Sequence, residues 1–133
     1  MIPFTNLLKK WGATMSYDIS FKVKIEGIDE YVEVCDVDAN ITWNVRKIIE
    51  LSTGLPWENE ANNGLCKDII PQIEKGYILL KTHPKDYKPY EASNGWGTVE
   101  GTIRFFEAII SAWHDFCKKA DGTLIDVATF WIE

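Results

Sequence analysis

The sequence predicts an α+β domain: a small antiparallel sheet of about three strands with three helices, the long C-terminal helix packed across the sheet. Three observations carry this. Residues 17–25 put Tyr17, Ile19, Phe21, Val23 and Ile25 on one face and Asp18, Ser20, Lys22 and Lys24 on the other, the period of two that marks a half-buried strand. A turn over residues 26–29 and a second β-rich run over residues 30–37 bring the chain back as an antiparallel hairpin. Residues 99–120 set Ile103, Phe106, Ile110, Trp113 and Cys117 along one helical stripe, widened by Phe105, Ile109 and Phe116 to the breadth that covers a sheet.

The remaining elements follow in order. Residues 1–14 form a short helix on the spacing of Phe4, Leu7, Leu8 and Trp11, with Pro3 suited to a first turn and Gly12 to a stop. We assign this segment as an N-terminal helical extension to a single domain over residues 15–133, its apolar face docked on that domain, on a second copy or on a partner. A second helix opens after Asn40 or Thr42, either of which can cap it, and carries Ile41, Val45, Ile48, Ile49 and Ser52 at helical spacing. Arg46 and Glu50 pair on its outside, and Gly54, followed by Leu55 and Pro56, stops it. Residues 57–63 are a polar loop. Helical spacing resumes from Gly64 to Leu80, with Pro71 predicting a kink or a fresh start, and His83 before Pro84 ends it. Residues 84–87 make one isolated turn and residues 88–90 are extended. Thr98 caps the last helix, Glu100 suits its first turn, and Asp121 with Gly122 closes it. Residues 124–132 are apolar apart from Asp126 and Thr129, which predicts an interior strand covered on both faces and lying beside the first strand.

At 133 residues, 46% hydrophobic and 13% aromatic, the chain has the length of one domain and the composition of a packed interior. Fourteen Lys and Arg against 20 Asp and Glu leave a net charge of −6, the wrong balance for nonspecific phosphate binding. The acid concentrates over residues 26–38, where Glu26, Asp29, Glu30, Glu33, Asp36 and Asp38 occur without a Lys or Arg. Such a face attracts basic surfaces, or is simply a solvated hairpin. Cys35, Cys66 and Cys117 are an odd, widely spaced set in apolar runs, the usage of buried thiols in a reducing compartment. No C-x-x-C pair exists, so no structural zinc is expected. No long apolar run and no secretory signal are present, so no membrane span is expected and the cytoplasm is the default location.

No constellation forms a convincing catalytic set. The two histidines are His83 and His114. His114 sits at the boundary of the long helix; His83 caps a helix end, stacks on a tyrosine, or works with a carboxylate. Cys66 and Cys117 lie on apolar stripes, which raises a thiol's pKa and makes it inert. Asp126, interrupting an apolar strand, is either paired or faces solvent at an edge. Lys81, Lys85 and Lys88 interleave with Tyr87 and Tyr90 as in single-strand binders, but three lysines on an acidic chain argue little. The loop Ser93-Asn94-Gly95-Trp96-Gly97-Thr98 stands out, because it places an indole between two glycines directly before the strongest helix. Its helix start could cradle an anion, although the spacing is neither a P-loop nor a dinucleotide fingerprint and Glu100 puts negative charge there. Asn94 and Trp96, with Asn40, Trp43 and Asn44, offer amides that donate and accept beside flat indoles. That chemistry suits a nucleotide or peptide, and equally suits helix caps and core anchors.

The strings Asn40-Ile41-Thr42-Trp43-Asn44, Asn63-Gly64-Leu65-Cys66-Lys67-Asp68, Thr82-His83-Pro84 and Asn94-Gly95-Trp96-Gly97-Thr98-Val99-Glu100-Gly101 resemble those of small uncharacterised proteins of phages and mobile elements, over about residues 15–116. That group has no assigned activity, so the resemblance carries over no catalytic residue. It implies a genomic setting in which small acidic proteins often bind and block a host factor. The expected function is a non-enzymatic binding protein, a phage-type accessory or counter-defence factor with no cofactor and no metal. Asn40, Trp43, Asn44, His83, Asn94 and Trp96 would bind a small nucleotide-like ligand; Asp29, Glu30, Glu33 and Asp36 would bind a basic host protein. Nucleic acid and membrane are not expected partners. The alternatives are a small hydrolase or transferase using His83 with a carboxylate, and an assembly protein that dimerises through residues 1–14.

Overall fold

The alternating run becomes strand β1 (Ser16–Lys24), and the return run becomes β2 (Tyr31–Thr42), antiparallel to it. The computed structural model describes residues 16–133, so the helix expected over residues 1–14 lies outside the described residues. β2 runs on to Thr42, past the expected end at residue 37. Two register shifts explain why alternation stopped being readable. Ile19 faces Val37 while Asp18 faces Asn40, leaving Asp38 and Ala39 as extra residues; Lys22 faces Glu33 while Phe21 faces Cys35, leaving Val34 extra. Such bulges slip the inside–outside pattern and twist an edge strand.

The sheet has four strands, one more than the three expected, in the order β2-β1-β4-β3. The added strand, β3 (Ala61–Leu65), lies where a polar loop was expected. Its Asn62, Asn63 and Gly64 have low β-propensity, and it joins the sheet by backbone pairing to β4 (Thr129–Ile132), Ala61 opposite Ile132 and Leu65 opposite Thr129. β4 lies beside β1, as expected, and is interior. It is shorter than the 124–132 run. Residues Gly122–Val127 are helix α5, opened by Asp121, whose Oδ1 accepts from the Leu124 amide at 2.8 Å. An aspartate cap before a short apolar run stabilises a helix start, and a run apolar at nearly every position has no period to tell helix from strand.

Five helices stand among the described residues where three were expected. A 3-10 turn over Trp43–Val45 leads into α1 (Arg46–Thr53), and Gly54 ends α1 at φ 75°, the left-handed cap that favours glycine. Thr42, not Asn40, accepts from the Asn44 amide at the turn. α2 (Cys66–Thr82) is one helix through Pro71, so no new helix starts there. Its start is tied to the sheet by Cys66 N–H donating to Ala128 C=O at 2.9 Å, and burial of Ile69, Ile70, Ile73 and Leu80 outweighs the one lost amide. The short α3 (Pro84–Tyr87) follows, and Lys88–Tyr90 is a 3-10 turn, not an extended segment. α4 (Val99–Lys119) is the expected long helix, capped by Thr98 Oγ1 accepting from the Gly101 amide at 2.9 Å.

The core fills the space between one sheet face and these helices. Tyr17, Ile19, Phe21, Val37, Phe130 and Ile132 meet Phe105, Phe106, Ile109 and Trp113 of α4. Phe21 sits edge-on to Trp113 at 5.7 Å. α1, α2 and α4 converge on Gly76, where an added Cβ would lie 2.7 Å from Thr53 Cγ2 and 3.2 Å from Phe106 Cε2.

The hairpin outruns this core. Val23 is half-buried and Ile25 is exposed, although both share the face of buried Phe21. The end of the β1–β2 hairpin therefore projects as an arm.

Candidate functional site

Three surfaces emerge, two centred on residues expected from the sequence. The first joins the two Asn–Trp clusters. Asn40 Nδ2 donates to Ser16 Oγ at 3.1 Å and to Asp18 Oδ1 at 2.9 Å; Trp43 Nε1 donates to the Ser16 carbonyl at 3.1 Å. Asn44 Nδ2 donates to the Trp96 carbonyl at 3.3 Å, and Asn94 Oδ1 accepts from the Trp96 amide at 3.0 Å. Gly97, at φ 93°, permits this junction: a Cβ there would come within 2.9 Å of Asn44 Cβ. The Trp96 ring is left 69% exposed and the Trp43 ring 37%. The asparagine amides named here hold backbone and neighbouring side chains; Trp96 stays open, while the Trp43 ring packs on Tyr17 at 6.3 Å.

His83 does not join this cluster. It is exposed at the end of α2, and its Nδ1 shares a 2.8 Å hydrogen bond with the Thr82 hydroxyl. No carboxylate bonds to it among the described residues. The helix start behind Trp96 is also occupied. Glu91 Oε2 accepts from the Val99 amide at 2.7 Å, and Thr98 takes the Gly101 amide, so the donors that would cradle an anion have internal acceptors. Nearby, Glu100 is held below the usual carboxylate range by a backbone hydrogen bond and by Lys88. Of the three interleaved lysines, Lys81 bonds to the Tyr77 hydroxyl and Lys88 to Glu100. Asp126 faces solvent on α5, 3.8 Å from Lys67.

The second surface is the arm. Ile25, Ile28 and Val32 are exposed among Glu26, Asp29, Glu30 and Glu33, while Tyr31 lays its ring against Trp131 of β4 at 5.1 Å. Lys24 offsets Asp29 at 3.2 Å. Asp36, expected with this set, is exposed further along β2.

The third surface was not expected. A cavity of about 640 Å³ lies between β2 and the C-terminal half of α4, bounded by Val34, Cys35, Asp36, Ala112, Asp115 and Phe116. A second, of about 290 Å³, bounded by Ile41 and Arg104, shares Asp38 and Ala108 with it, so the two make one trough along the sheet edge. Its residues come from segments about seventy apart in the chain, and only the bulge positions Val34 and Asp38 hint at it locally.

All three thiols are raised above their ordinary pKa. Burial pushes Cys66 far up, with Cys35 and Cys117 adding to it; burial, then Asp36 and Glu33, raises Cys35, and burial raises Cys117. Cys66 is fully buried, but Cys35 and Cys117 are only half-buried, short of the expected burial. Retaining its proton in the fold makes Cys66 a source of pH-dependent stability. Its contribution to stability is complete below the ordinary value of 9.0. Above it, the unfolded chain gives up a proton that the fold retains, so stability falls by about 1.4 kcal/mol per pH unit from this group. Urea unfolding at pH 8 and pH 10 should show that loss, and Cys66→Ala should flatten the slope.

Among the described residues, no group of three or more His, Cys, Asp or Glu is placed to hold a metal, and no helix is long and apolar enough to cross a membrane. Comparison with protein-family models, curated proteins and solved structures returned no match.

Proposed function

We propose that the protein works by binding and not by turnover: a phage-type accessory or counter-defence factor that grips a basic host protein with its β1–β2 arm. The observation that carries this is the arm's surface. Ile28 is 50% exposed and Val32 43%, beyond the edge of the core, with Glu26, Glu30 and Glu33 close by in the chain. Exposed apolar groups among charged ones have the anatomy of a protein–protein contact. The acid gives a basic partner its attraction and a fast approach.

The test compares the native chain with Ile28→Lys/Glu30→Lys/Glu33→Lys. These positions are exposed, so folding stability should change little. Basic host proteins retained by the native chain should bind the variant at least ~10-fold more weakly, about 1.4 kcal/mol. Equal retention by both chains ends this reading. A second reading, a nucleotide-like ligand bound near Trp43 and Trp96, is favoured by the Asn44–Trp96 hydrogen bond, which ties the turn that begins at Trp43 to the loop that carries Trp96. A nucleotide at 100 times its Kd should add about 2.7 kcal/mol of stability; no thermal shift with any nucleotide removes that version.

A further inference from the structure

We propose that the trough between β2 and α4 is the docking site of residues 1–14 of the same chain. The described chain begins at Ser16, which pairs with Thr42 at the end of β2, one residue from Ile41 at the trough's mouth. Residues 1–14 are therefore tethered, through Ser16, close to this end of the trough. As a helix, fourteen residues span roughly 21 Å, and the seven steps of β2 from Ile41 to Val34 span roughly 23 Å, so segment and trough match in length.

The chemistry matches as well. Phe4, Leu7, Leu8 and Trp11 recur at helical spacing, and Lys9 and Lys10 are the segment's only charged side chains. The trough offers Val34, Ala108, Ala112 and Phe116 as an apolar floor, with the alanines four apart on α4 leaving room for larger groups. Its β2 rim carries Asp36 and Asp38 and no cation; Arg104, Asp115 and Lys119 stand on the helix wall. β2 is also an outer strand of the sheet. Sheet edges left open invite pairing with other chains, and a covering helix is one way proteins prevent it.

Cys35 lines the trough and reports on it. In the full chain, maleimide labelling of Cys35, followed by peptide mass spectrometry so that Cys66 and Cys117 are scored separately, should be slow. Phe4→Asp/Leu7→Asp/Leu8→Asp in the full chain, and deletion of residues 2–14, should each speed it at least ~10-fold and raise amide exchange over residues 34–41. A synthetic peptide of residues 1–14 added to the deleted chain should restore the slow rate. Should the deleted chain fail to fold, the aspartate variant decides. Labelling and exchange within about twofold across native chain and aspartate variant overturn the proposal. So does a dimer mass by light scattering whose dissociation on dilution exposes Cys35, since the occupant is then a second copy.

Discussion

Replacing Trp57 by alanine is expected to cost about 3–5 kcal/mol, the range for removing a buried large aromatic and leaving a cavity. Trp57 is 1% exposed and is the largest fully buried side chain of the described residues. Its ring meets Tyr17 at 5.9 Å, Phe130 at 5.8 Å and Phe105 at 6.2 Å, so it joins β1, β4 and α4 at one point. A loss of that size is a large part of the 5–15 kcal/mol that holds such a domain together. Trp57→Phe should cost much less. The indole Nε1 finds no acceptor among the described residues, so phenylalanine gives up volume but no hydrogen bond. Urea denaturation of the two variants measures both values. Equal costs would mean that the indole N–H carries the effect, against this account.

Gly97→Val is expected to cost about 2–5 kcal/mol, the sum of a left-handed backbone and an overpacked contact. The residue sits at φ 93°, and its Cβ would press on Asn44 Cβ at 2.9 Å, Val45 Cγ1 at 3.1 Å and the Asn44 carbonyl carbon at 3.3 Å. Backbone cannot swing aside as a flexible side chain does. Gly95→Val separates the two terms: its φ is 79°, but nothing lies within 4 Å of the added Cβ. It should therefore cost only the backbone share, about 1–2 kcal/mol. Chemical denaturation of both variants tests the difference. If Gly97→Val costs no more than Gly95→Val, the loop does not seat on Asn44 as described.

The legible parts of the fold were those whose signals are local. The β1 strand, the glycine stop after α1 and the Thr98 cap each lie within a few residues and each formed, although Ser20, expected on the open face of β1, is buried. β3 is not legible, because Asn62 and Asn63 turn their amides to nearby backbone, and only Ala61, Asn62 and Leu65 pair with β4, through the main chain. Trp57 was absorbed into a polar loop because its own neighbours, Glu58, Asn59 and Glu60, are polar, while the groups that bury it come from β1, β4 and α4. α5 hid inside an apolar run. At the candidate site the two Asn–Trp clusters were visible separately, but the hydrogen bond joining them spans 52 residues. His83 carries no local signal that ties it to that set, and its ring bonds to its own neighbour Thr82.

The placement of β4 between β1 and β3 governs how fast this molecule reaches its native state. β1 and β2 are joined by a short turn and can zip early. The other half of the sheet waits for contacts such as the Thr129 hydroxyl on the Lys22 carbonyl, 107 residues apart. Closing so large a loop carries an entropic barrier before any pairing rewards it. Chains dominated by such distant contacts fold in milliseconds to seconds, slower than helical bundles of similar size.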